Sequence, residues 1–314
     1  MSLVLMFPGQ SSRYPGMLHK LAEIVPHGRA CLEQASDTLG RDILKHYDAD
    51  NKDAFACNQD VQLGVFLANH LFMLKLEEAG VKAKLSLGLS LGEWNHLVHI
   101  EAIGFEDALK AVAERGAAYD SGARGVMASV FPISLEELQE VADRVQKHGV
   151  LEVANRNSPR QQVLSGEAEA LNAALEILEE EFYVEATIIE KQVPMHSSLF
   201  EPVASRFGEY LRTLPFKTPR LPYFPNRLAE QLPEPTQEHY VDLLSTHVCQ
   251  PVEWMRSIDL VMEKMPDATL LEVGPKKILY NLLDRKWHKG VKKYHMDTTE
   301  NTDAHIESLL ENLN

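Results

Sequence analysis

From Leu85 to Glu93 an apolar run of strand character, Leu85-Ser86-Leu87, meets Gly88, then Leu89-Ser90-Leu91, then Gly92 and residues that continue as a helix. A serine with glycine two positions away on each side, at a strand-to-helix turn, is the nucleophile-elbow pattern. Its glycines allow the tight turn, the turn lifts the hydroxyl out of the sheet, and the helix start aims N–H groups at it. Two glycines near a serine also describe an ordinary turn, so the rest of the pattern has to decide. Upstream, residues 3–7 form a short buried strand broken by Pro8-Gly9, followed by helical stretches at 16–24 and 27–39. Val61, Val65, Ala68, Phe72 and Leu76 keep a helical period across 61–79. Helices at 91–99 and 105–120 follow Ser90, and this alternation of strand and helix predicts an α/β sheet with helices on its faces.

The rhythm then changes. A strand at 126–131, a helix at 134–147, strands at 150–154 and 162–165, a helix at 168–181 and a strand at 184–190 give the order β-α-β-β-α-β, the split ferredoxin-like unit. Residues 125–192 are therefore predicted to be a small domain inserted in a larger one built from residues 1–124 and 193–314. In the larger domain a helix is predicted to open at Pro194-Met195-His196 and run to 211. A proline-rich loop at 215–235 carries one short strand near Tyr223. Helices at 237–247 and 252–264, a strand at 269–273, the turn Gly274-Pro275, a helix from 276, a strand at 291–295 and a closing helix complete the chain.

A chain of 314 residues has ample capacity for two cores, and 45% hydrophobic with 25% charged residues sets aside the disordered and membrane classes. No apolar run is long enough to span a bilayer, and the first seven residues are too short and uncharged for a signal peptide, so a cytoplasmic location with no membrane partner is expected. Cys31, Cys57 and Cys249 are odd in number and form no C-x-x-C pair, which points to neither a disulfide framework nor a zinc site. A net charge of −15 argues against nucleic acid as a partner. Against that background Lys276, Lys277, Arg285, Lys286, Lys289, Lys292 and Lys293 stand together with only Asp284 opposing them. Such a segment either docks an acidic partner or is a solvated helix face and loop.

A serine nucleophile needs a base, and among thirteen histidines His196 stands out: it follows Pro194, adjoins Ser197 and Ser198, and falls at the seam between the two predicted domains, where ligand clefts form. A lone histidine is as readily structural. No acid stands in the order of a hydrolase triad, so the simpler arrangement is a Ser-His dyad whose imidazole is oriented by a backbone carbonyl. Arg115 is the other informative residue. Phe105, Ala108, Val112, Arg115 and Tyr119 follow steps of three and four, which places a guanidinium on an inward-facing row. The residues alone leave open whether it snorkels to water or meets an internal carboxylate.

Set in order, the segments Phe7-Pro8-Gly9-Gln10 with Gly16-Met17, Gln62, Gly88-Leu89-Ser90-Leu91-Gly92-Glu93, Arg115-Gly116, Gly125-Val126-Met127-Ala128, Asn155-Arg156-Asn157-Ser158-Pro159 with Gln161 and Ser165-Gly166, Val193-Pro194-Met195-His196-Ser197, Asn226, Gln250-Pro251-Val252 with Trp254, and Glu272-Val273-Gly274-Pro275 resemble the malonyl-CoA:acyl-carrier-protein transacylase family from end to end. That resemblance implies an α/β-hydrolase-like core carrying a ferredoxin-like small domain. It implies Ser90 as the residue acylated by an acyl-CoA, His196 as its base, and the backbone N–H groups of Gln10 and Leu91 as the oxyanion hole. The Gln250 carbonyl would hold the imidazole, and Arg115 would pair with the free carboxylate of a malonyl group. Gln62, Leu89, Met195, Gln161 and Asn155 would line the substrate site.

The partner implied is an acyl carrier protein or the carrier domains of a polyketide synthase, whose phosphopantetheine thiol takes the acyl group. No metal or redox cofactor is called for, and a monomer is expected. Two positions depart from the family pattern: Leu89 stands where most relatives have histidine, and Met195 matches neither common residue at a position tied to acyl choice. Leu89 and Trp94-Asn95-His96 resemble stand-alone acyltransferases that serve polyketide synthases in trans. An acyl-hydrolase that clears carrier proteins is the alternative, and a non-catalytic scaffold is disfavoured by an intact Ser90 and His196. Lys276, Lys277, Arg285, Lys286 and Lys289 are the candidate carrier-docking residues, because carrier proteins are acidic.

Overall fold

Strand β1 (Leu3–Phe7) is apolar at every position and buried at every position, as a strand covered by helices on both faces must be. In the computed structural model, which describes residues 2–284, 286–298 and 300–313, the strands after β1 are β2 (Leu85–Gly88), β3 (Val126–Val130), β4 (Leu151–Ser158), β5 (Gln161–Gly166), β6 (Ala186–Glu190), β7 (Thr269–Glu272) and β8 (Lys292–His295). They form two sheets. The first has the order β2-β1-β7-β8 and all its pairs are parallel. Register pairs Phe7 with Gly88 and Met6 with Glu272, so the chain leaves β1, β2 and β7 at one edge of the sheet. Loops at the carboxyl edge of an open parallel sheet are where such folds hold ligands.

Around the sheet, the helix Asn58–Glu78 is buried along most of its length, consistent with apolar residues on nearly all its faces. It crosses the helix Phe105–Asp120 at Gly116, where a Cβ would lie 2.3 Å from the Cα of Gln59. Only glycine permits that approach, and it brings side chains of the two helices into reach of each other. No helix among the described residues is long and apolar enough to cross a membrane.

The second sheet has the order β4-β5-β3-β6 with every pair antiparallel. The helices Leu135–Arg144 and Ala168–Ile177 close a separate core on it, with Val130, Leu138, Val141, Leu164 and Leu171. Ser134 starts the first of these helices with a reciprocal cap to Glu137. The element order is the predicted β-α-β-β-α-β. Strand β4 runs four residues past the predicted end, because Arg156 and Ser158 pair with Gln162 and Gln161 and Asn155 bridges to Val252 in the other half of the molecule.

Two predicted helix starts are corrected. Pro194-Met195-His196 does not open a helix: the helix is Glu201–Leu211, preceded by a 3-10 turn at Ser198–Phe200, and His196 has a φ of +60°, which a right-handed helix excludes. The helix predicted from 276 is Ile278–Leu282. Lys276 has a φ of +62°, and the Glu272 carboxylate accepts the first free N–H groups, from Ile278 at 2.9 Å and Tyr280 at 2.8 Å.

Candidate active site

At the end of β2 the chain turns too tightly for a side chain at Gly88, whose Cβ would lie 2.0 Å from the Gly92 carbonyl oxygen. Ser90 sits at the apex with a φ of +49°. A non-glycine residue in that region costs about 1–3 kcal/mol and persists only where its surroundings hold it. Here Asn226 does so: its Oδ1 accepts the Ser90 N–H at 2.7 Å and its Nδ2 donates to the Gly88 carbonyl. The helix Gly92–His99 starts directly behind the turn, with the N–H groups of Gly92 and Glu93 taken by Leu89 and Ser90 carbonyls. The parallel register of β1 and β2 lays the Gly9-Gln10 loop alongside, and a Cβ on Gly9 would be 3.9 Å from that of Ser90. Among the described residues, neither the Gln10 nor the Leu91 N–H donates to a backbone or side-chain acceptor.

His196 faces Ser90 with its Nε2 2.8 Å from the serine Oγ. Its Nδ1 lies 2.7 Å from the carbonyl of His247, and since a carbonyl only accepts, the proton is on Nδ1 and the Nε2 lone pair receives the Ser90 hydroxyl. The His247 carbonyl thus takes a place beside the expected Gln250, whose backbone also hydrogen-bonds the imidazole. The helix Gln237–His247 ends at His247, leaving that last carbonyl without a helical partner and aimed at the ring. The Gln250 side chain is exposed, and only its backbone reaches the imidazole. Burial, then the neighbouring His247 ring and the Arg115 guanidinium, hold the His196 pKa well below the ordinary histidine range, against the pull of the two carbonyls. At neutral pH the ring is therefore the uncharged proton acceptor.

Arg115 is 1% exposed. The helix crossing at Gly116 brings Gln62 against it, with Nη1 donating to Oε1 at 2.6 Å, while Nη2 reaches Ser90 Oγ at 3.4 Å and the guanidinium lies 4.5 Å from the Tyr119 ring centre. None of the ion pairs among the described residues involves it. Neither alternative left by the sequence applies: the side chain does not reach water and meets no carboxylate. The Gln62 Nε2 beside it is buried without a hydrogen-bond partner.

Ser90 and His196 lie on a cleft of about 450 Å³ between the carboxyl edge of the first sheet and the second sheet. Gln10, Leu89, Asn155, Gln161 and Met195 all line it, as does Met127 from β3. Gln161 donates to Ser129 Oγ at 3.1 Å and accepts from Asn157 at 3.1 Å, so both its polar ends are engaged by the sheet. Of the candidate docking residues, Lys276, Lys277, Lys286 and Lys289 are exposed, and Asn281 and Asp284 between them reach the cleft. Arg285 lies outside the described residues. Lys293 is engaged by the carbonyls of Tyr280 and Leu283. Sequence reasoning missed the roles of Asn226 and His247. Asn226 carried a signal, as a polar residue ending the buried segment Tyr223-Phe224-Pro225, while His247 carried none beyond its place at a helix end.

A parallel sheet whose second strand ends in a strained serine facing a histidine across a cleft defines an α/β-hydrolase-like protein. The chain belongs to the acyl transferase domain family, whose model matches residues 4–305. It is 28% identical over 314 residues to the malonyl CoA-acyl carrier protein transacylase of Bacillus subtilis (strain 168), covering 98% of each chain. It is also 28% identical over 290 residues to that organism's polyketide biosynthesis malonyl CoA-acyl carrier protein transacylase PksC, covering 90% of this chain and 96% of the relative. Among solved structures, the malonyl CoA-acyl carrier protein transacylase of Clostridium perfringens superposes with a TM-score of 0.90 at 27% identity, over 100% of this chain and 97% of that one. The resemblance drawn from the motifs therefore holds, and with it the large α/β-hydrolase-like domain carrying a small ferredoxin-like subdomain.

Proposed function

We propose that the protein transfers a malonyl group from malonyl-CoA to the phosphopantetheine thiol of an acyl carrier protein by way of Ser90. The observation that carries this reading is Arg115: a fully buried cation without an acidic partner, 3.4 Å from the Ser90 hydroxyl. A buried charge left uncompensated is costly, and an acyl group ending in a carboxylate supplies the missing anion, with the spare Gln62 Nε2 as a second donor. In the first half-reaction Ser90 Oγ bonds to the thioester carbonyl carbon and its proton passes to His196 Nε2. The carbon–sulfur bond then breaks and that proton leaves with the CoA thiol. In the second, the carrier thiol gives its proton to His196, bonds to the same carbon and releases Ser90, which is reprotonated. The free N–H groups of Gln10 and Leu91 receive the oxyanion in both halves, where one such donor is worth on the order of 10²–10³-fold in rate.

Hydrolysis of carrier-bound acyl groups is the weaker reading, because a hydrolase of monocarboxylic chains has no use for Arg115. Polyketide synthesis is the finer assignment, supported by Leu89 in place of the usual histidine. Carrier docking is assigned to the exposed Lys276, Lys277, Lys286 and Lys289 beside the cleft, for an acidic partner. The test is intact-protein mass spectrometry after brief mixing with malonyl-, methylmalonyl- and acetyl-CoA in competition. Preferential malonyl loading on Ser90, abolished in Ser90→Ala and passed on to a carrier protein, is expected. Loading dominated by acetyl, or free acid accumulating in place of acyl-carrier, overturns the reading. Charge reversal at Lys286 and Lys289 should slow transfer to the carrier about tenfold at low salt and spare self-loading.

A further inference from the structure

We propose that Glu93 is a positioning residue that sets the geometry between Ser90 and His196, because one of its oxygens holds the residue that clamps the serine while the other faces the residue that clamps the imidazole. The inference rests on the reading of Ser90 and His196 as an acting pair. Glu93 is 1% exposed and stands on the first turn of the helix behind the elbow. Its Oε1 accepts from the Tyr223 hydroxyl and, at 3.3 Å, from the Asn226 N–H. Its Oε2 lies 2.9 Å from Nδ1 of His247, itself 2% exposed. Asn226 in turn fixes the Ser90 N–H and the Gly88 carbonyl, and the His247 carbonyl fixes His196 Nδ1. The two rings of His196 and His247 also lie against each other, tilted by 31° with centres 4.9 Å apart.

Ser90 and His196 are separated by 106 residues and sit on loops that share no strand pairing, so something between them must define their distance. One carboxylate touching both clamps does this. Burial and then the Glu93 charge push the Tyr223 pKa well above its ordinary value, so the hydroxyl stays a donor to Glu93 at every working pH. The other Glu93 oxygen lies at ion-pair distance from the ring of His247, the residue whose backbone carries the acceptor for His196, so the carboxylate packs against both clamps.

The test measures Ser90 reactivity with an alkyl fluorophosphonate, which reports activation of the hydroxyl and needs no malonyl group, beside the kinetics of malonyl loading. Glu93→Gln keeps an oxygen for Tyr223 and Asn226 and removes the charge facing His247. Both labelling and loading rates are expected to fall by on the order of 10²-fold, as for a small misplacement of reacting groups, with KM for the acyl-CoA within about twofold. His247→Gln, which retains the backbone carbonyl, should lose about as much, and the double variant no more than the worse single one, because both act through one contact. Labelling within about twofold of wild type in folded Glu93→Gln overturns the proposal, as does a double variant whose losses multiply. If Glu93→Gln does not fold, His247→Gln carries the same criterion alone. A wild type that labels but does not load malonyl refutes the malonyl reading and leaves this one standing.

Discussion

Arg115 and Arg156 are two guanidinium groups of the same molecule, and their surroundings differ in burial and in the partner that meets their charge. Arg156 lies on β4 between Asn155 and Asn157, which line the cleft, and its Nη1 pairs with Glu253, a carboxylate with a side chain only 9% exposed. Backbone bonds join the same two segments, from Arg156 N–H to the Val252 carbonyl at 3.0 Å and from Val252 N–H to the Ala154 carbonyl at 2.9 Å. That cation is satisfied within the fold and fastens the second sheet to the first domain. Arg115, more deeply buried, has an amide, a hydroxyl and a ring for company, and no acid. A protein that meets the charge of a half-buried arginine and leaves a fully buried one open gives the two different work, a fastening at Arg156 and, on the function proposed above, a receptor at Arg115.

Replacing each arginine tests that distinction, and the largest effect is expected at Arg115. Arg115→Ala should shift loading away from malonyl and toward acetyl by on the order of 10²-fold in the competition assay, the worth of a desolvated charge-assisted hydrogen-bond pair. If the acyl preference is unchanged and the melting temperature falls instead, the two arginines are alike and the comparison collapses. Arg156→Ala should do the reverse. Leaving Glu253 unpaired at a partly exposed site costs about 2 kcal/mol, below the range for fully buried pairs, or about 5 °C in melting temperature. Its acyl preference should match wild type.

The smallest effect is in the pH profile of loading. With the His196 pKa lowered below 6.5 by burial and by the neighbouring His247 and Arg115, wild-type loading should stay level as pH falls through 6.5 and decline only in more acid solution, as the base becomes protonated. Removing the Arg115 charge removes one of the influences that lower that pKa, so the acid limb in Arg115→Ala moves to higher pH. In Arg156→Ala it stays in place, and a shift of equal size there would show that the limb reports general loosening of the cleft.

Legibility in the sequence followed the range of the interaction. The elbow could be read because Gly88 and Gly92 bracket Ser90 within five residues, and the inward row ending in Arg115 and Tyr119 because helical period is local. The helices Phe105–Asp120 and Gln237–His247 match their predicted bounds. What failed was set by contacts across the chain. His196 leaves the helical region because its N–H bonds to Val248 at 3.0 Å, and the His247 carbonyl joins Gln250 at its ring because the preceding helix ends there. The Asn226 clamp on Ser90 spans 136 residues, and nothing in the spacing of either residue announces it.

The strand extension from Asn155 to Val252 also marks where the molecule divides as a tool. Leu89, Arg115 and Gln62 belong to the first domain, while Met127, Gln161 and Val163 face the cleft from the second sheet. Exchanging residues 126–190 for the corresponding segment of a relative would thus replace one wall of the cleft and leave Ser90, His196 and Arg115 in their native setting. Such a chimaera needs Arg156 and an extended partner for Val252 on the incoming strand, since these are the rivets by which the exchanged wall is hung.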